Sequence, residues 1–475
     1  MNMHKIITLT LFTLLATAAF SQTEVEGNQS GTWAATGSPY LVTGELTIPV
    51  GASLNIEAGV EIIFQGHYKF TVNGSLVASG TESDSIFFTA SNPQTGWHGI
   101  RLTESQSGSA FTYCHFEYGK TSGSDYPDQH GGALMLHSSD AVISHCLFAY
   151  NEAVAEENGM GGAVYGINTG SETQITNCTF VNNNTYGEGG AIKLSGDNGA
   201  NIENCVFRNN TVLYGGGAIC LYGCYDTRIY RSLFTGNVTS FSSGGAVYML
   251  GYCARIRFVN CTMYDNHATH GDGGGVDVVF SDASFTNSII YNNPGAYSDN
   301  IYLDFGYAEI NYCNTPFPDG ADGSHNMNVD AEFVDATSGD FHLLPTSPCI
   351  DTGIDSLTIT DAYGDELTVV DMDDSEYYNT APDLGCYEYD PETGIRQVKF
   401  DDINIYPNPA DGLVHFDLHN KKTAQISVSD YLGKQVMNLN SVSASTIDLS
   451  ELSPGVYIIR VKTEEGNYTG KVIKK

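Results

Sequence analysis

Between residues 110 and 300 the chain runs in short apolar stretches broken by Gly, Asn and Ser, and no stretch sustains an apolar spacing of helical period. The breaks recur. Gly-Gly-Ala stands at Gly131-Gly132-Ala133, Gly161-Gly162-Ala163, Gly189-Gly190-Ala191, Gly216-Gly217-Ala218 and Gly244-Gly245-Ala246, then degenerates to Gly274-Gly275-Val276, with steps of 30, 28, 27, 28 and 30 residues between the third positions. Each period also holds Cys146-Leu147-Phe148, Cys178-Thr179-Phe180, Cys205-Val206-Phe207, Ser232-Leu233-Phe234, Cys261-Thr262-Met263 or Ser288-Ile289-Ile290, preceded by a weaker Cys114-His115-Phe116. Five positions beyond the first residue of each full signature stands Asn151, Asn183, Asn210, Asn237, Asn266 or Asn293, and three positions before that first residue the chain is apolar, as at Ile143, Ile175 and Ile202.

One such period cannot bury its own apolar side chains, so neighbours must stack with equivalent positions about 4.8 Å apart. That predicts an all-β solenoid of parallel strands in which inward Cys, Ser and Phe fill a narrow core, Gly makes tight corners and the Asn column hydrogen-bonds along the axis. Propeller blades are longer and leucine-rich repeats need Leu columns, so both fit worse. The Gly-Gly-Ala-Ile and Asn-Cys-x-Phe-x-x-Asn repeats resemble the right-handed parallel β-helix proteins of secreted bacterial origin. The segments Leu46–Gly51, Leu54–Val60 and Val72–Gly80 look like that family's first turns, and Asp330–Asp335, Phe341–Pro345 and Ser347–Gly353 like its closing turn. The resemblance covers roughly residues 30 to 390 and implies a fold, not an activity, because one solenoid carries lyases, hydrolases, adhesins and inert stalks.

Charge divides the chain. Residues 24–390 hold nine Lys or Arg against 45 Asp or Glu, a net of −36, whereas residues 391–475 hold ten of each. Such an acidic body repels nucleic acid and anionic lipid, and the abrupt shift marks a domain boundary near residue 390. At the other end, Lys5, the apolar run Ile6–Phe20 and the small residues before Gln22 read as a cleaved signal peptide over residues 1–21, too short for a membrane span. Tyr406-Pro407-Asn408-Pro409-Ala410, Val428–Lys434, Pro454-Gly455-Val456-Tyr457 and the terminal Lys471–Lys475 predict a small Ig-like β-sandwich. Their order closely resembles the C-terminal sorting domain of type IX secretion cargo of Bacteroidota. This implies the type IX machinery and its sortase as partners of residues 400–475, removal of that domain, and a mature protein outside the cell or on its surface. The expected organisation is thus residues 1–21 as signal, 22–390 as β-helix with a closing cap at about 330–390, 391–399 as linker and 400–475 as sorting domain.

Candidate chemistry is sparse. If Leu134, Ile192 and Ile219 face inward, Met135, Tyr165, Lys193, Cys220, Tyr248 and Val278 face outward, and Tyr165, Tyr248 and Tyr222, with Tyr252 nearby, offer flat faces for sugar rings beside Lys193, Arg228 and Arg257. Tyr also suits exposed strands without any ligand, and the arginines also suit pairing with the abundant acids. Loops entering the Gly-Gly-Ala turns carry Asp125, Asp128, His130, Glu156, Glu157, Glu188, His270 and Asp272; of these His130, Glu188, Asp128 and Asp272 are the candidate acids and bases for glycoside hydrolysis or uronide elimination. Asp351, Asp361, Asp371, Asp373, Asp374 and Asp383 crowd the cap, where a structural Ca²⁺ or backbone donors would relieve their repulsion. Cys224 and Cys253 share an offset on adjacent turns, within disulfide range, and Cys349 with Cys386 is a second candidate bridge, whereas the inward Cys114, Cys146, Cys178, Cys205 column is expected reduced. The expected function is an exported glycan-binding, adhesin-like or structural β-helix protein; the alternative is a carbohydrate-active lyase or hydrolase working at the acidic edge.

Overall fold

The computed structural model describes residues 22–475 apart from residues 107, 124–125, 154–157, 362, 374, 391–399, 403–404, 417–423, 431–434, 443–445 and 464–466. The signal segment, Asp125, Glu156, Glu157, Asp374 and the linker therefore lie outside the described residues. The chain divides into two compact units, Met1–Asp390 and Pro391–Lys475.

In the first unit each period makes one coil of four short strands. The coil that begins at Gly189 runs Ile192–Ser195, Asn201–Glu203, Val206–Arg208 and Thr211–Val212. Each strand pairs in parallel with its equivalents on the coils before and after, so that Ile192 faces Val164 and Ile219, and Phe207 faces Phe180 and Phe234. Four ladders result, and their inward residues meet in one continuous core. Its spine is a stack of rings, Phe88, Phe116, Phe148, Phe180, Phe207 and Phe234, with centroids 4.7–4.9 Å apart and planes within 11° of parallel. Met263 and Ile290 continue the column.

The two glycines of Gly-Gly-Ala serve different ends. The first adopts left-handed backbone, as at Gly189 (φ +72°), which suits a residue without Cβ; the second is forced by contact, since a Cβ on Gly190 would stand 2.1 Å from the Gly217 carbonyl of the next coil. The last repeat is one residue out of the register read from the sequence. Val276 pairs with Val247, so Gly275 replaces Ala246, and Asp277, not Val278, stands opposite Tyr248. Val278 points into the core.

Interior polar side chains join the coils where the chain turns and sheet partners run out. Asn210 donates its backbone N–H to Asn237 Oδ1 at 3.0 Å, and its Nδ2 to the same oxygen at 2.9 Å and to the Phe180 carbonyl at 3.0 Å. The pattern repeats from Asn151 to Asn293, and every member is fully buried. Cysteine and serine do the same at other corners. Cys114 N–H donates to Cys146 Sγ and Cys146 N–H to Cys178 Sγ, both at 3.4 Å, whereas Cys205 and Cys261 donate to Ser232 and Ser288 hydroxyls at 3.1 Å. Cys224 and Cys253, expected to be bridged, belong to a second column of this kind. They stand on adjacent coils but point inward as free thiols, with Cys224 N–H on Cys253 Sγ at 3.3 Å and Cys253 N–H on the Ser281 hydroxyl at 3.1 Å. Cys349 and Cys386 are free as well, the first taking an N–H from Asn314, the second lying beside Thr262.

Residues beyond 330 fold back along the flank of the coils. The hairpin of Ser356–Thr360 and Glu366–Asp371 buries Leu367, Val369 and Val370 against Tyr230 and Val259. Asn287 and Asn260 take hydrogen bonds with Ile354 and Asp383, tying the segment to coil corners. In the second unit, the sheet containing Ala424–Asp430, Gln435–Val442, Gly455–Thr463 and Asn467–Lys474 and the smaller sheet of Ile405–Tyr406, Leu413–Phe416 and Thr446–Asp448 enclose Val414, Ile426, Val428, Ile447, Leu449, Ile459 and Val461. This is a small, mostly antiparallel β-sandwich.

Two outcomes follow for stability. Asn237→Ala takes the acceptor from the buried Asn210 backbone N–H, one of two acceptors from Asn210 Nδ2 and a donor from the Phe207 carbonyl, and should cost about 3 kcal/mol or more in urea unfolding; a loss below about 1 kcal/mol would refute the ladder's role. Cys253→Ser should stay within about 1 kcal/mol of the parent with or without reductant, because Ser281 already fills the equivalent place; a disulfide there would instead make the substitution cost about 2 kcal/mol or more under oxidising conditions only.

Candidate functional site

The outward residues of the first ladder form one column, Arg101, Met135, Tyr165, Lys193, Cys220, Tyr248, Asp277 and Tyr302, set by strand register. Most of it is not open to solvent. Arg101, Met135, Tyr165, Lys193, Cys220 and Asp277 are all buried, because the loops that enter the Gly-Gly-Ala turns lie across them. The sequence pattern sets which way a strand residue points but not what the loops cover, so Tyr165 and Lys193 are contacts within the protein, not an open ligand surface.

The expected acids and bases are parts of that cover. Asp128 receives Arg101 at 2.9 Å, Lys69 at 2.8 Å and His98 at 3.3 Å; burial opposes ionisation, but these partners hold its carboxyl far below the usual range. His130 packs its ring 4.4 Å from Tyr165, and burial with the charges of Arg101 and Lys193 pushes its pKa down to about 4, so it is neutral at physiological pH. Glu188 pairs with Lys193, whose ammonium also donates to Cys220 Sγ at 3.1 Å. Asp272 lies at the far end of the face, its carboxyl raised by burial and by Asp304.

That far end holds the residue the sequence reading missed. Asp277 is 3% exposed, its Oδ1 meets no hydrogen-bond partner, and burial together with Asp304 and Asp272 raises its pKa to about 7. The same burial, with Asp277 adjacent, lifts Tyr248 to about 12. A polar residue one place beyond Gly275-Val276 was the available signal, hidden by the one-residue slip in the last repeat. A carboxyl poised near neutrality can give or take a proton, in contrast to Asp128, which is locked as a carboxylate.

A second feature is a corner. Between the first and second ladders each coil places one residue in left-handed backbone, in order Ser138, Asn168, Gly196, Gly223, Gly251, Phe280 and Phe305. Asn and Gly suit that conformation; a bulky aromatic does not, at a cost of roughly 1–2 kcal/mol. Phe280 (φ +45°) and Phe305 (φ +52°) nevertheless occupy it, with rings 5.1 Å apart and 5° from parallel. Tyr252, also left-handed, lies 6.3 Å from Phe280. Tyr222 rests against Gly251 with Lys193 Nζ 5.3 Å from its ring. These four rings are exposed, Tyr252 at 79% and Phe305 at 82%.

The other candidates fall elsewhere. Arg228 and Arg257 are paired on the second ladder; Arg228 lies over the Tyr230 ring, and Arg257 is held by Asp226 at 2.7 Å and by the Thr368 carbonyl of the hairpin. The cap acids do not converge. Asp361 pairs with Arg255 at 2.6 Å, Asp351 accepts the Thr380 and Ala381 amides, Asp383 accepts those of Asp351 and Tyr389, Asp371 ends the hairpin, and Asp373 donates its N–H to Glu376. Among the described residues no three His, Cys, Asp or Glu side chains are arranged to hold a metal ion.

Comparison with known families decides what carries this face. Residues 190–316 match the family described as right handed beta helix region, and residues 404–475 match the secretion system C-terminal sorting domain. The chain is a right-handed β-helix with a type IX sorting domain. No curated protein matches it. The β-helix match spans the coils that bear Lys193, Tyr222, Tyr252, Asp277, Phe280 and Phe305, so both features are built on β-helix coils. The sorting domain brings the secretion machinery as partner and directs the chain to the cell surface or the extracellular space. Among the described residues no helix is long and apolar enough to cross a membrane.

The β-helix should respond to pH through Asp277. Burial makes folded Asp277 hold a proton that the unfolded chain releases near pH 4, so its contribution to stability is greatest below that pH and declines as pH rises towards about 7. Asp277→Asn should remove on the order of 2 kcal/mol of the decline between pH 4 and 8 in denaturation series; parallel curves for parent and variant would show that Asp277 titrates normally.

Proposed function

We propose that the mature protein, freed of its signal peptide and of its sorting domain by the sortase, is a glycan-binding protein displayed outside the cell, and that it grips its ligand with the corner rings of Tyr222, Tyr252, Phe280 and Phe305. The observation that carries this reading is the placement of Phe280 and Phe305 in left-handed backbone where three preceding coils use glycine. The fold accepts glycine there, so packing does not call for phenylalanine, and an exposed hydrophobic residue in a strained position is a mark of function. Stacked rings one coil apart offer their faces to the C–H surfaces of successive sugar units, with the Tyr222 and Tyr252 hydroxyls at the margin for polar contacts. The acidic body disfavours nucleic acid on the same rings.

One observation favours catalysis as a second reading: Asp277, near neutral and flanked by Asp272 and Asp304, has the character of a general acid in glycoside hydrolysis. Uronide elimination is less suited, because Arg101, Lys193 and Lys69 are already committed to Asp128 and Glu188. Release of reducing ends from polysaccharides, lost in Asp277→Asn, would bring this reading forward.

The binding proposal is tested with the full chain on a polysaccharide array. Phe280→Gly with Phe305→Gly should lower retention tenfold or more while unfolding free energy stays within about 1 kcal/mol, since relieved strain offsets lost stacking. Undiminished retention, or an array on which the parent chain holds no glycan, would defeat it.

A further inference from the structure

Within the β-helix unit the nine cations face 45 acids, and their side chains are almost all claimed. Lys69 and Arg101 pair with Asp128, Lys120 with Glu152, Lys193 with Glu188, Arg231 with Glu376, Arg255 with Asp361 and Arg257 with Asp226. Arg228 lies over Tyr230. Among the described residues neither Arg228 nor Arg208 has an ion pair or a side-chain hydrogen bond, but only Arg208 also lacks a ring to lie over; its charge acts on the Tyr387 hydroxyl. In so acidic a body an unclaimed guanidinium is out of proportion, and its surroundings explain what it is free for.

Arg208 ends the third-ladder strand Val206–Arg208 and forms one wall of a cleft of about 360 Å³. The floor and near wall are coil corners, Asn209, Thr235, Tyr264, Asp265 and Asn292; the far wall is the turn Ala336–Gly339 of the folded-back segment. Gly339 is left-handed (φ +84°), and a Cβ there would come within 3.0 Å of the Arg208 guanidinium, so the absence of a side chain keeps the approach to that cation open. None of the acids at or beside the cleft takes the Arg208 guanidinium. Asp265 meets His267 at 3.1 Å, Asp335 accepts the Thr337 and Ser338 hydroxyls, and Asp340 meets His342 at 2.7 Å.

We infer that this cleft binds an acidic sugar, with the Arg208 fork on its carboxylate and the corner residues on its hydroxyls. A planar guanidinium engages a carboxylate through two parallel hydrogen bonds. Asn209, Asn292 and Thr235 supply mixed donors and acceptors, Asp265 a pure acceptor, and Tyr264 a partly buried ring face. A site for a bare anion would not place an aspartate in its wall; a site for a neutral sugar would have no use for an unpaired arginine. The volume lies within the roughly 300–1,000 Å³ usual for small-molecule sites. The cleft lies at the corner after the third ladder, not at the aromatic corner after the first, so this inference does not depend on the aromatic corner binding a ligand.

Ligand-observed NMR and calorimetry on the full chain, with D-glucuronate, D-glucose and acetate as probes, test it. Glucuronate should bind, glucose and acetate at least tenfold more weakly. Arg208→Gln should lower glucuronate affinity at least tenfold with an unchanged melting temperature, since no ion pair is lost, and Arg208→Lys should fall between. Asp265→Asn, which tolerates the same left-handed backbone (φ +59°), should weaken glucuronate several-fold and leave acetate unaffected. No glucuronate binding, equal affinity in parent and Arg208→Gln, or acetate binding as tightly as glucuronate would each overturn the inference.

Discussion

A coil that turns a corner takes its backbone N–H and C=O groups out of register with the sheets, and in a narrow solenoid those groups are buried with no water to receive them. The rest of the structure depends on how they are met. Each coil lends an inward Asn, Cys or Ser whose oxygen or sulfur accepts the N–H of the coil before it; the Asn and Cys donors return to a carbonyl one coil back, and the Ser hydroxyl to one on its own coil. Sheet pairing sets the spacing and the Phe stack fills the interior, but the polar columns let the chain bend several times per coil without leaving unpaired buried groups. The same requirement explains why the corner residues beside them are so often Asn or Gly in left-handed backbone.

How far the sequence reveals this depends on how local each cause is. Gly-Gly-Ala, the Asn column and the Phe column repeat because every coil poses the same steric problem, so Asn210 and Phe207 can be placed from spacing alone. Cys224 and Cys253 could be put on adjacent coils but not oriented, since a thiol on a corner residue reads equally as a surface pair or as an interior acceptor; their likeness to Ser281 emerges only from the hydrogen bonds. The outer face was less legible still. Tyr165, Lys193 and Cys220 point outward as the alternation requires, yet loop residues between 126 and 130, 186 and 188, and 213 and 215 cover them, and loop paths have no repeat to read. Asp277 went unnoticed because a third glycine at Gly275 mimics an extra step in the repeat.

Function on this scaffold collects where columns break their own rules. The corner that is Gly on three coils becomes Phe on the next two, the outward strip that is neutralised by pairs carries near its end an aspartate without a partner on one oxygen, and a guanidinium with neither ion pair nor ring contact opens onto a cleft made by the returning segment. These departures lie at different places on one unit, the first ladder, the corner after it and the corner after the third. The sorting domain adds transport.

Whether the asparagine column joins coils into one cooperative body is most directly measured by a double-mutant cycle. Asn210→Ala with Asn237→Ala, in contact at 2.9 Å, should show a coupling of about 1 kcal/mol or more in equilibrium unfolding, whereas Asn151→Ala with Asn266→Ala, four coils apart, should add to within about 0.5 kcal/mol. Simple additivity for the adjacent pair would mean that each side chain serves only its own turn, and that the sheets alone hold the solenoid together.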